Sequence, residues 1–359
     1  MFDILIYLKP ADLNRFNSNL NRFNLNRLIG LRMQRRNTTI KELAKELNLS
    51  IGTVSAALNG RSSVRPETRS LVLEAAARIG YVRSYTARSM SEGRSRKLDL
   101  VIPAGGQNLS GFTSGILVGA DAAAEARGYR LGMNVISTEA ALVERVERLA
   151  KERAADGFVF FSPGHRDIYA ILREENVPHV VVGRPPVAES SLVRIDTDNV
   201  RLGREVAEHL VARGRRAPVF LAPRHLTYAE DRFIGLQQIY EEKLRWIDTQ
   251  PSTSGAEMAL AEALNSGISI DAIVTGDDML ALGALHELQR RGCAVPTDVA
   301  LASTADDIAQ YFNPPVTSVA LHPEQLGAAA VTVLMDLIEC RPLEPVTWIN
   351  HELKIRSST

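Results

Sequence analysis

The chain has 359 residues, of which 45% are hydrophobic and 23% charged, so it is long enough for two or three domains and has the composition of a globular protein. Two cysteines, Cys293 and Cys340, exclude a disulfide framework, and no spacing of histidines or cysteines is typical of a metal site. We therefore expect two buried thiols in a reducing compartment, with no metal and no cofactor.

Targeting signals are weak. No apolar run approaches the roughly 18 to 20 residues that span a bilayer. The opening MFDILIYLKP has no basic residue ahead of its apolar run and no small-residue cleavage site, so it is a poor signal peptide. The chain is therefore expected to be cytoplasmic and to have no membrane partner.

The net charge of zero conceals an uneven distribution of charge along the chain. Residues 33–97 contain 13 lysines and arginines against 5 acidic residues, whereas residues 98–359 contain 24 against 35. This asymmetry predicts a small basic module for a polyanion, attached to a larger body with another task.

Residues 1–32 contain an Asn- and Arg-rich near-repeat, NRFNSNLNRFNLNRL. We interpret them as a disordered low-complexity extension, with Met33 as the real translation start. A functional arm is the alternative.

Residues 33–81 are predicted to form a small all-α domain. In TTIKELAKELN, Thr39 is the expected N-cap of a first helix, and Asn48 is the expected left-handed residue that ends it. In LSIGTVSAALNGR, Ser50 caps a second short helix, and RPETRSLVLEAAARIG predicts a third helix with a proline near its first turn. Two short helices joined by a turn are a common device for reading DNA.

The second helix has an unusual surface for that task. The outward positions near its start are Ile51, Gly52 and Ala56, and none of them can donate a hydrogen bond from its side chain. Bidentate hydrogen bonds to bases are therefore not available from these positions.

Residues 82–97 include SYTARSMSEGRSRK, which is too short and too polar to bury a face alone. Such a segment is expected to be disordered, or helical only when something binds it. An ordinary exposed linker is the alternative.

From residue 98 to residue 359 the pattern changes to short runs rich in β-branched or aromatic residues, such as LDLVIPA, GFVFFSP, HVVVGR and AIVTG. Stretches with helical periodicity separate most of them. This alternation predicts an α/β core with mostly parallel, doubly wound sheets in two lobes, with a cleft between them. Ligands of such sheets bind beyond the carboxyl ends of the strands.

The order of these parts resembles the LacI/GalR (lac-repressor) family of bacterial transcription regulators, and the most specific run is TTIKELAKELNLSIGTVSAALNGRSSVRPETRSLVLEAAARIGYVRS. ARSM followed by a basic linker is similar to the hinge helix of that family. The resemblance implies a helix-turn-helix head, a hinge over residues 82–97, and a periplasmic-binding-protein-like core over residues 98–359. It also implies a homodimeric repressor that binds a pseudo-palindromic double-stranded DNA operator, controlled by a small effector that is expected to be a carbohydrate.

The resemblance assigns roles in DNA binding. In the family, the first, second and sixth positions of the recognition helix read base edges, so here Ile51 and Ala56 could contact thymine methyls while Gly52 lets the backbone approach. Met90 stands where relatives usually have a leucine that wedges into the minor groove, and Ala87 matches the small residue that lets two hinge helices approach. The expected DNA-binding residues are Thr39, Ser50, the base-reading Ile51, Gly52 and Ala56, the phosphate-facing Thr53, Ser55 and Asn59, and the hinge residues Ala87 and Met90.

The resemblance also assigns an effector site. DRFIG resembles the family motif whose arginine binds sugar hydroxyls, which points to Arg232, with a surface ion pair as the alternative. TGDDMLALG resembles a motif in which Asp277 would contact the ligand while Asp278 caps the next helix, with helix-capping roles for both as the alternative. DTDN, residues 196–199, is expected to be a structural turn into a helix. The expected effector-binding residues are Phe112, Arg184, Arg232, Asp277 and Asp306.

Two other functions compete with the regulator. A solute-binding protein of a sugar transporter would explain the core but not the basic head. A sugar-modifying enzyme is not expected, because the chain lacks a phosphate loop, a nucleophile elbow and a paired His and carboxylate constellation.

Overall fold

The computed structural model describes residues 39–60, 62–81, 94–103, 110–136, 138–161, 166–185 and 192–359. The chain divides into two compact units, Met1–Glu92 and Gly93–Thr359, which we call the head and the core. The sequence-predicted extension, residues 1–32, and the hinge residues Ala87 and Met90 lie outside the described residues.

The described part of the head consists of three short helices: α1 (Ile40–Glu46), α2 (Ile51–Leu58) and α3 (Pro66–Arg78). Their ends are determined by local chemistry. The Thr39 hydroxyl accepts from the backbone N–H of Glu42 at 3.3 Å, and the Glu42 carboxylate accepts from the backbone N–H of Thr39 at 2.8 Å, which is a capping box. The Ser50 hydroxyl likewise accepts from the backbone N–H of Thr53 at 3.0 Å. The predicted N-caps are therefore confirmed.

The helices of the head share one small core. Leu43 of α1, Val54 of α2 and Val72 of α3 are fully buried in a single cluster. Asn48 has a φ of +51°, the left-handed conformation that was expected to end α1. The sequence pattern therefore predicted these helices correctly.

The core alternates strands and helices. Its described strands, in chain order, are β1 (Lys97–Pro103), β2 (Arg130–Ile136), β3 (Gly157–Phe161), β4 (His179–Val182), β5 (Arg194–Thr197), β6 (Pro218–Leu221), β7 (Arg245–Ile247), β8 (Ala272–Thr275), β9 (Ala300–Ser303), β10 (Ser318–Ala320), β11 (Val346–Ile349) and β12 (Glu352–Lys354). Its described α-helices are α4 (Gly111–Ala126), α5 (Glu139–Lys151), α6 (Arg166–Glu174), α7 (Asn199–Ala212), α8 (Thr227–Tyr240), α9 (Thr253–Asn265), α10 (Asp278–Arg290) and α11 (Pro323–Ile338).

The first lobe is built on a six-stranded parallel sheet in the order β11-β5-β4-β3-β1-β2. Alternate side chains of β1 enter different clusters: Leu98 and Leu100 pack with α4 and α11, and Val101 packs with α5 and α6. Because helices cover both faces, the strand is apolar from Leu98 to Ile102 except at the buried Asp99.

The second lobe has a four-stranded parallel sheet in the order β7-β6-β8-β9, and β10 pairs with β12 in an antiparallel ribbon. Phe220 packs on the side of α7 and α8, while Val219 and Leu221 pack on the side of α9 and α10. The chain passes between the lobes after β5, after β10 and after β11. This arrangement confirms the predicted fold class of two doubly wound lobes.

Some sequence expectations need correction. Cys293 is half-buried and Cys340 is exposed, so the prediction of two buried thiols is wrong. Cys340 has a φ of +56° in the turn that follows α11, and such turns lie at the surface. DTDN is only partly a turn, because Asp196 and Thr197 end strand β5 and Asp198 then caps α7.

Membrane-spanning character is also absent from the described helices. None of them combines the length and the apolar character that a bilayer crossing requires.

Candidate effector cleft and DNA-reading surface

The start of α2 forms the candidate DNA-reading surface. Ile51 is 46% exposed, Gly52 is exposed and Ala56 is half-buried, while Val54 and Ala57 on the opposite side are buried in the head. A Cβ built on Gly52 would meet only the Ser50 hydroxyl oxygen at 3.6 Å, so the backbone here is open to a large partner. The geometry leaves the three base-reading candidates accessible on one face.

Polar groups flank this surface. The hydroxyls of Ser50 and Thr53 lie 2.8 Å apart, and the Asn59 amide donates to the Ser55 hydroxyl at 3.4 Å. Thr39 and Ser50 each use the side-chain oxygen for the helix cap, but a hydroxyl can still donate to a phosphate. Exposed basic side chains surround these groups on the head: Lys41, Lys45, Arg65 and Arg69.

Arg232 is the centre of the candidate effector cleft. It lies on α8 and is only 5% exposed. Its Nε donates to the Asn199 amide oxygen at 2.9 Å, and its Nη1 donates to the Gly276 carbonyl and the Thr304 hydroxyl, both at 2.9 Å. Gly276 and Thr304 follow β8 and β9, so the guanidinium sits at the carboxyl edge of the second sheet.

The guanidinium of Arg232 keeps bonding capacity for a ligand. The Tyr228 ring lies one turn earlier on α8, and its centroid is 4.6 Å from the guanidinium carbon. Within the described residues Nη2 has no hydrogen-bond partner, and no carboxylate is within ion-pair distance. Burial lowers the pKa of Arg232, yet an arginine stays charged at physiological pH.

Of the two aspartates of TGDDMLALG, the first caps the following helix and the second does not. Asp277, not Asp278, is the N-cap of α10, where its carboxylate accepts from the backbone N–H of Leu280 at 2.9 Å. Asp278 is buried one residue later and accepts from the Ser303 hydroxyl at 2.5 Å and from the Ile308 backbone N–H at 2.7 Å. The capping role assigned to Asp278 is therefore wrong, and burial raises the pKa of Asp277 beside the cleft.

Arg184 bridges the two lobes. It follows β4 in the first lobe, and its Nε donates to the Asp231 carboxylate at 2.8 Å while its Nη2 donates to the Glu230 carboxylate at 2.6 Å. The Thr227 hydroxyl donates back to the Arg184 carbonyl at 2.5 Å. Since all three partners lie on α8, this arginine holds the lobes together in the structure.

Phe112 forms a second bridge. Its ring packs against the buried clusters of both lobes, and its backbone N–H donates to the Asp307 carboxylate at 3.1 Å. Asp306, the residue expected in the site, is engaged elsewhere: it accepts from the Ser318 hydroxyl at 2.7 Å and from Arg356 Nη2 at 3.0 Å. The structure therefore brings Asp307, not Asp306, to the boundary between the lobes.

Sequence reasoning missed four residues at this site: Tyr228, Asn199, Thr304 and Asp307. Tyr228 and Arg232 are four residues apart on one helix, which puts them on the same face and was a usable signal. Asn199 begins α7, and the chain crosses between the lobes just before it. The contacts of Thr304 and Asp307 depend on tertiary packing, so the sequence alone gave no signal for them.

A hydrogen-bonded chain links Arg232 to the crossover after β5. The Asn199 amide nitrogen donates to the Asp196 carboxylate at 3.3 Å, and the Asn199 amide oxygen accepts from Arg232. Burial raises the pKa of Asp196 to about 6, although Arg194 and the backbone N–H of Thr197 oppose the rise. The protonation state of Asp196 therefore depends on the balance between its burial and these two neighbouring groups.

The chain matches known proteins over both units. A family profile described as "Bacterial regulatory proteins, lacI family" matches residues 39–84, and one described as "Periplasmic binding protein-like domain" matches residues 207–359. The chain is 31% identical over 343 residues to the HTH-type transcriptional regulator CelR of Thermobifida fusca, which covers 90% of this chain and 99% of CelR.

Solved structures show the same architecture. A transcriptional regulator CelR–cellobiose complex has a TM-score of 0.68 at 28% identity and covers 89% of this chain and 99% of that one. The lac repressor dimer bound to operator and the anti-inducer ONPF shares the fold, with a TM-score of 0.76 at 22% identity over 90% of this chain and 99% of that one. The chain therefore belongs to the lacI family of bacterial regulatory proteins.

Proposed function

We propose that the protein is a sequence-specific DNA-binding transcriptional regulator, acting as a repressor, whose operator affinity is controlled by a small carbohydrate effector. The observation that carries this proposal is the pairing of an exposed recognition helix in the head with a buried arginine at the sheet edge of a two-lobed core. It has no catalytic role and no cofactor, and it works in the cytoplasm.

The head would recognise DNA largely through apolar contacts to the bases and through the deformability of the DNA. Ile51 and Ala56 offer apolar contacts to thymine methyls, and Gly52 leaves room for close backbone approach. Phosphate contacts from the hydroxyls and lysines around α2 would determine register without reading sequence. A large share of specificity would then come from the deformability of a pseudo-palindromic operator and from half-site spacing.

The effector would bind between the lobes. Arg232 has an N–H group directed to no protein acceptor in the described residues, and a guanidinium is well suited to sugar hydroxyls. Asp277 and the Tyr228 ring lie beside it. Asp277 could accept a hydrogen bond from a sugar hydroxyl, and the Tyr228 ring could pack against the sugar ring. The relative bound to cellobiose supports a carbohydrate as the effector class.

The protein would act as a homodimer through the core. Large apolar side chains are exposed on both lobes, with Val118 and Met133 on the first, and Met258 and Tyr311 on the second. Met133 lies on β2, which is an edge strand of its sheet. Exposed apolar groups on an otherwise soluble surface are typical of protein interfaces.

The decisive experiment selects an operator from a randomised duplex pool and measures its affinity for the full chain with and without a panel of mono- and disaccharides. One sugar should change operator affinity by about 5- to 150-fold, the usual range of allosteric coupling. Arg232→Ala should abolish that change: operator binding should persist if the sugar is an inducer and be lost if it is a co-repressor.

Ile234→Ala provides a matched control on the exposed side of α8 and should retain the full response. Sugar binding without any selected DNA sequence would favour the transporter alternative, and turnover of a sugar would favour an enzyme. An Arg232→Ala protein with an unchanged sugar dose response would exclude this effector site.

A further inference from the structure

A cavity of about 240 Å³ lies in the first lobe, away from the cleft, where the described part of the core begins. Its lining includes Arg94, Arg96, Arg127 and Arg341, and among the described residues Glu339 is the one carboxylate of that lining. We call this site the arginine pocket. Positive charge on a concave surface favours the approach of an anion.

Two of the arginines, Arg94 and Arg127, lie beside hydroxyl groups. Arg127 Nη1 donates to the Thr332 hydroxyl at 3.3 Å. Burial has the larger effect on the Tyr129 hydroxyl and raises its pKa, although Arg94 lies close enough to lower it. Arg341 is ion-paired on the rim, with Asp336 at 2.7 Å and with Glu339. In the part of the chain that the structure describes, neither Arg94 nor Arg127 is paired with a carboxylate, so their charges are available to a ligand.

The pocket is also built to hold its shape. The Asp156 carboxylate accepts from the backbone N–H groups of Ser95 and Arg96, at 2.6 and 3.0 Å. The Arg96 guanidinium carbon lies 5.4 Å from the centroid of the Tyr129 ring. The first described residues of the core are therefore anchored to Asp156, which precedes β3, and to Tyr129, which precedes β2.

We propose that the arginine pocket binds a phosphate group, either free phosphate or the phosphate of a small phosphorylated metabolite, as a second ligand site distinct from the cleft. Guanidinium groups bind phosphate oxygens in pairs through parallel charge-assisted hydrogen bonds. A concave site of this volume encloses one phosphate group, and the Tyr129 ring and Met335 provide an apolar wall for what is attached to it.

The position of the pocket connects it to the cleft. Helix α4 begins beside Phe112, which bonds to Asp307 of the other lobe, and ends at Arg127 in the pocket. Helix α11 begins after the crossover from β10 and ends just before Glu339 and Arg341. The two helices are in backbone contact, because a Cβ on Gly119 or Gly327 would overlap the facing carbonyl oxygen. A phosphate that ties their ends together would bias the same lobe arrangement that the effector biases.

The test uses the full chain without DNA and isothermal titration with inorganic phosphate, against chloride at equal ionic strength, and then with glucose 6-phosphate against glucose. The wild-type protein should bind phosphate, and Arg127→Ala and Arg341→Ala should each weaken it by at least about tenfold, as expected for a lost charge-assisted bond. Arg127→Lys should restore part of the affinity.

Arg213→Ala is the matched control, because Arg213 caps the end of α7 as Arg127 caps the end of α4 and lies in the other lobe. It should bind phosphate as the wild type does, which separates this site from other exposed arginines of the core. Tighter binding of glucose 6-phosphate than of phosphate would identify the metabolite source, and equal binding would identify free phosphate. Equal affinities in the wild type and both pocket variants, or an equal loss in Arg213→Ala, would overturn the proposal.

Discussion

Arg232 carries a permanent charge in a position where a charge is costly. Burying an isolated ion costs several kcal/mol, even after relaxation. Here the amide of Asn199, the carbonyl of Gly276 and the hydroxyl of Thr304 turn their oxygens toward the guanidinium, and the π face of Tyr228 covers it. These partners hold the side chain in one orientation and leave its remaining N–H group for a ligand.

Arg184 allows a test of whether the contact between the lobes supports effector binding. It was expected to contact the effector, but in the structure it bonds to Asp231 and Glu230. If Arg184 acts by bridging the lobes, Arg184→Gln and Asp231→Asn should each weaken effector binding by a similar factor, about 3- to 10-fold, and the double variant should be no weaker than either. Titration calorimetry of the four proteins measures this cycle. Direct contact of Arg184 with the effector predicts instead a loss in Arg184→Gln that is absent from Asp231→Asn.

At the scale of elements, local signals were sufficient for the head and for most of the buried strands. Caps such as Thr39 and Ser50 depend on neighbouring residues only, so their roles could be read from the sequence. Strands β7, β11 and β12 are short and only partly buried, and they were not predicted. The buried strand β5 was not predicted either, because its residues Asp196 and Thr197 are polar. The error over which aspartate caps α10 has a similar origin, since the residue that caps this helix depends on where β8 ends.

The capping box of α1 gives a prediction at this scale. Thr39→Ala should destabilise the head by about 1 kcal/mol, because the first turn of α1 loses its side-chain acceptor. Native-state hydrogen exchange over residues 39–60 of the full chain measures the change. Thr68→Ala, the same substitution inside α3, is the control and should not lower protection there. Equal loss of protection in both variants would show that the cap contributes nothing specific.

At the scale of the whole molecule, the alternation of strands and helices predicted two lobes and a cleft, but not how the lobes meet. The contacts across the boundary join residues far apart in sequence, such as Arg184 with Asp231 and Phe112 with Asp307. No local period encodes such pairs, and Asp306 and Asp307 cannot be distinguished before the chain is folded. The sequence could therefore predict a candidate site centred on Arg232, but not the complete set of residues around it.

Asp196 at the first crossover makes the stability of the core depend on pH. Its pKa of about 6 in the folded chain exceeds the ordinary value of 3.8, so the folded state keeps a proton that the unfolded state releases. This contribution to stability is fully present below pH 4 and is lost as the pH rises through 6. Relative to Asp196→Asn, the wild type should lose roughly 2 to 3 kcal/mol of unfolding free energy between pH 4 and pH 7. Urea denaturation at both pH values measures it, and a difference that does not change with pH would contradict it.

The exposed apolar residues on both lobes lead to the last prediction, which concerns assembly. Met133 is 51% exposed on the edge strand β2, so in a homodimer that uses this face a charge at position 133 would be buried without a partner. Breaking an interface in this way costs several kcal/mol, enough to shift a dimer to monomers at micromolar concentration. Met133→Arg should therefore sediment as a monomer and lose affinity for a two-half-site operator. Ile234 is 41% exposed on α8, and the control variant Ile234→Arg should remain dimeric.

If Met133→Arg remains a dimer by analytical ultracentrifugation, the edge of the first sheet is not the interface. Monomers from both variants would instead indicate a general loss of folding, which circular dichroism would reveal.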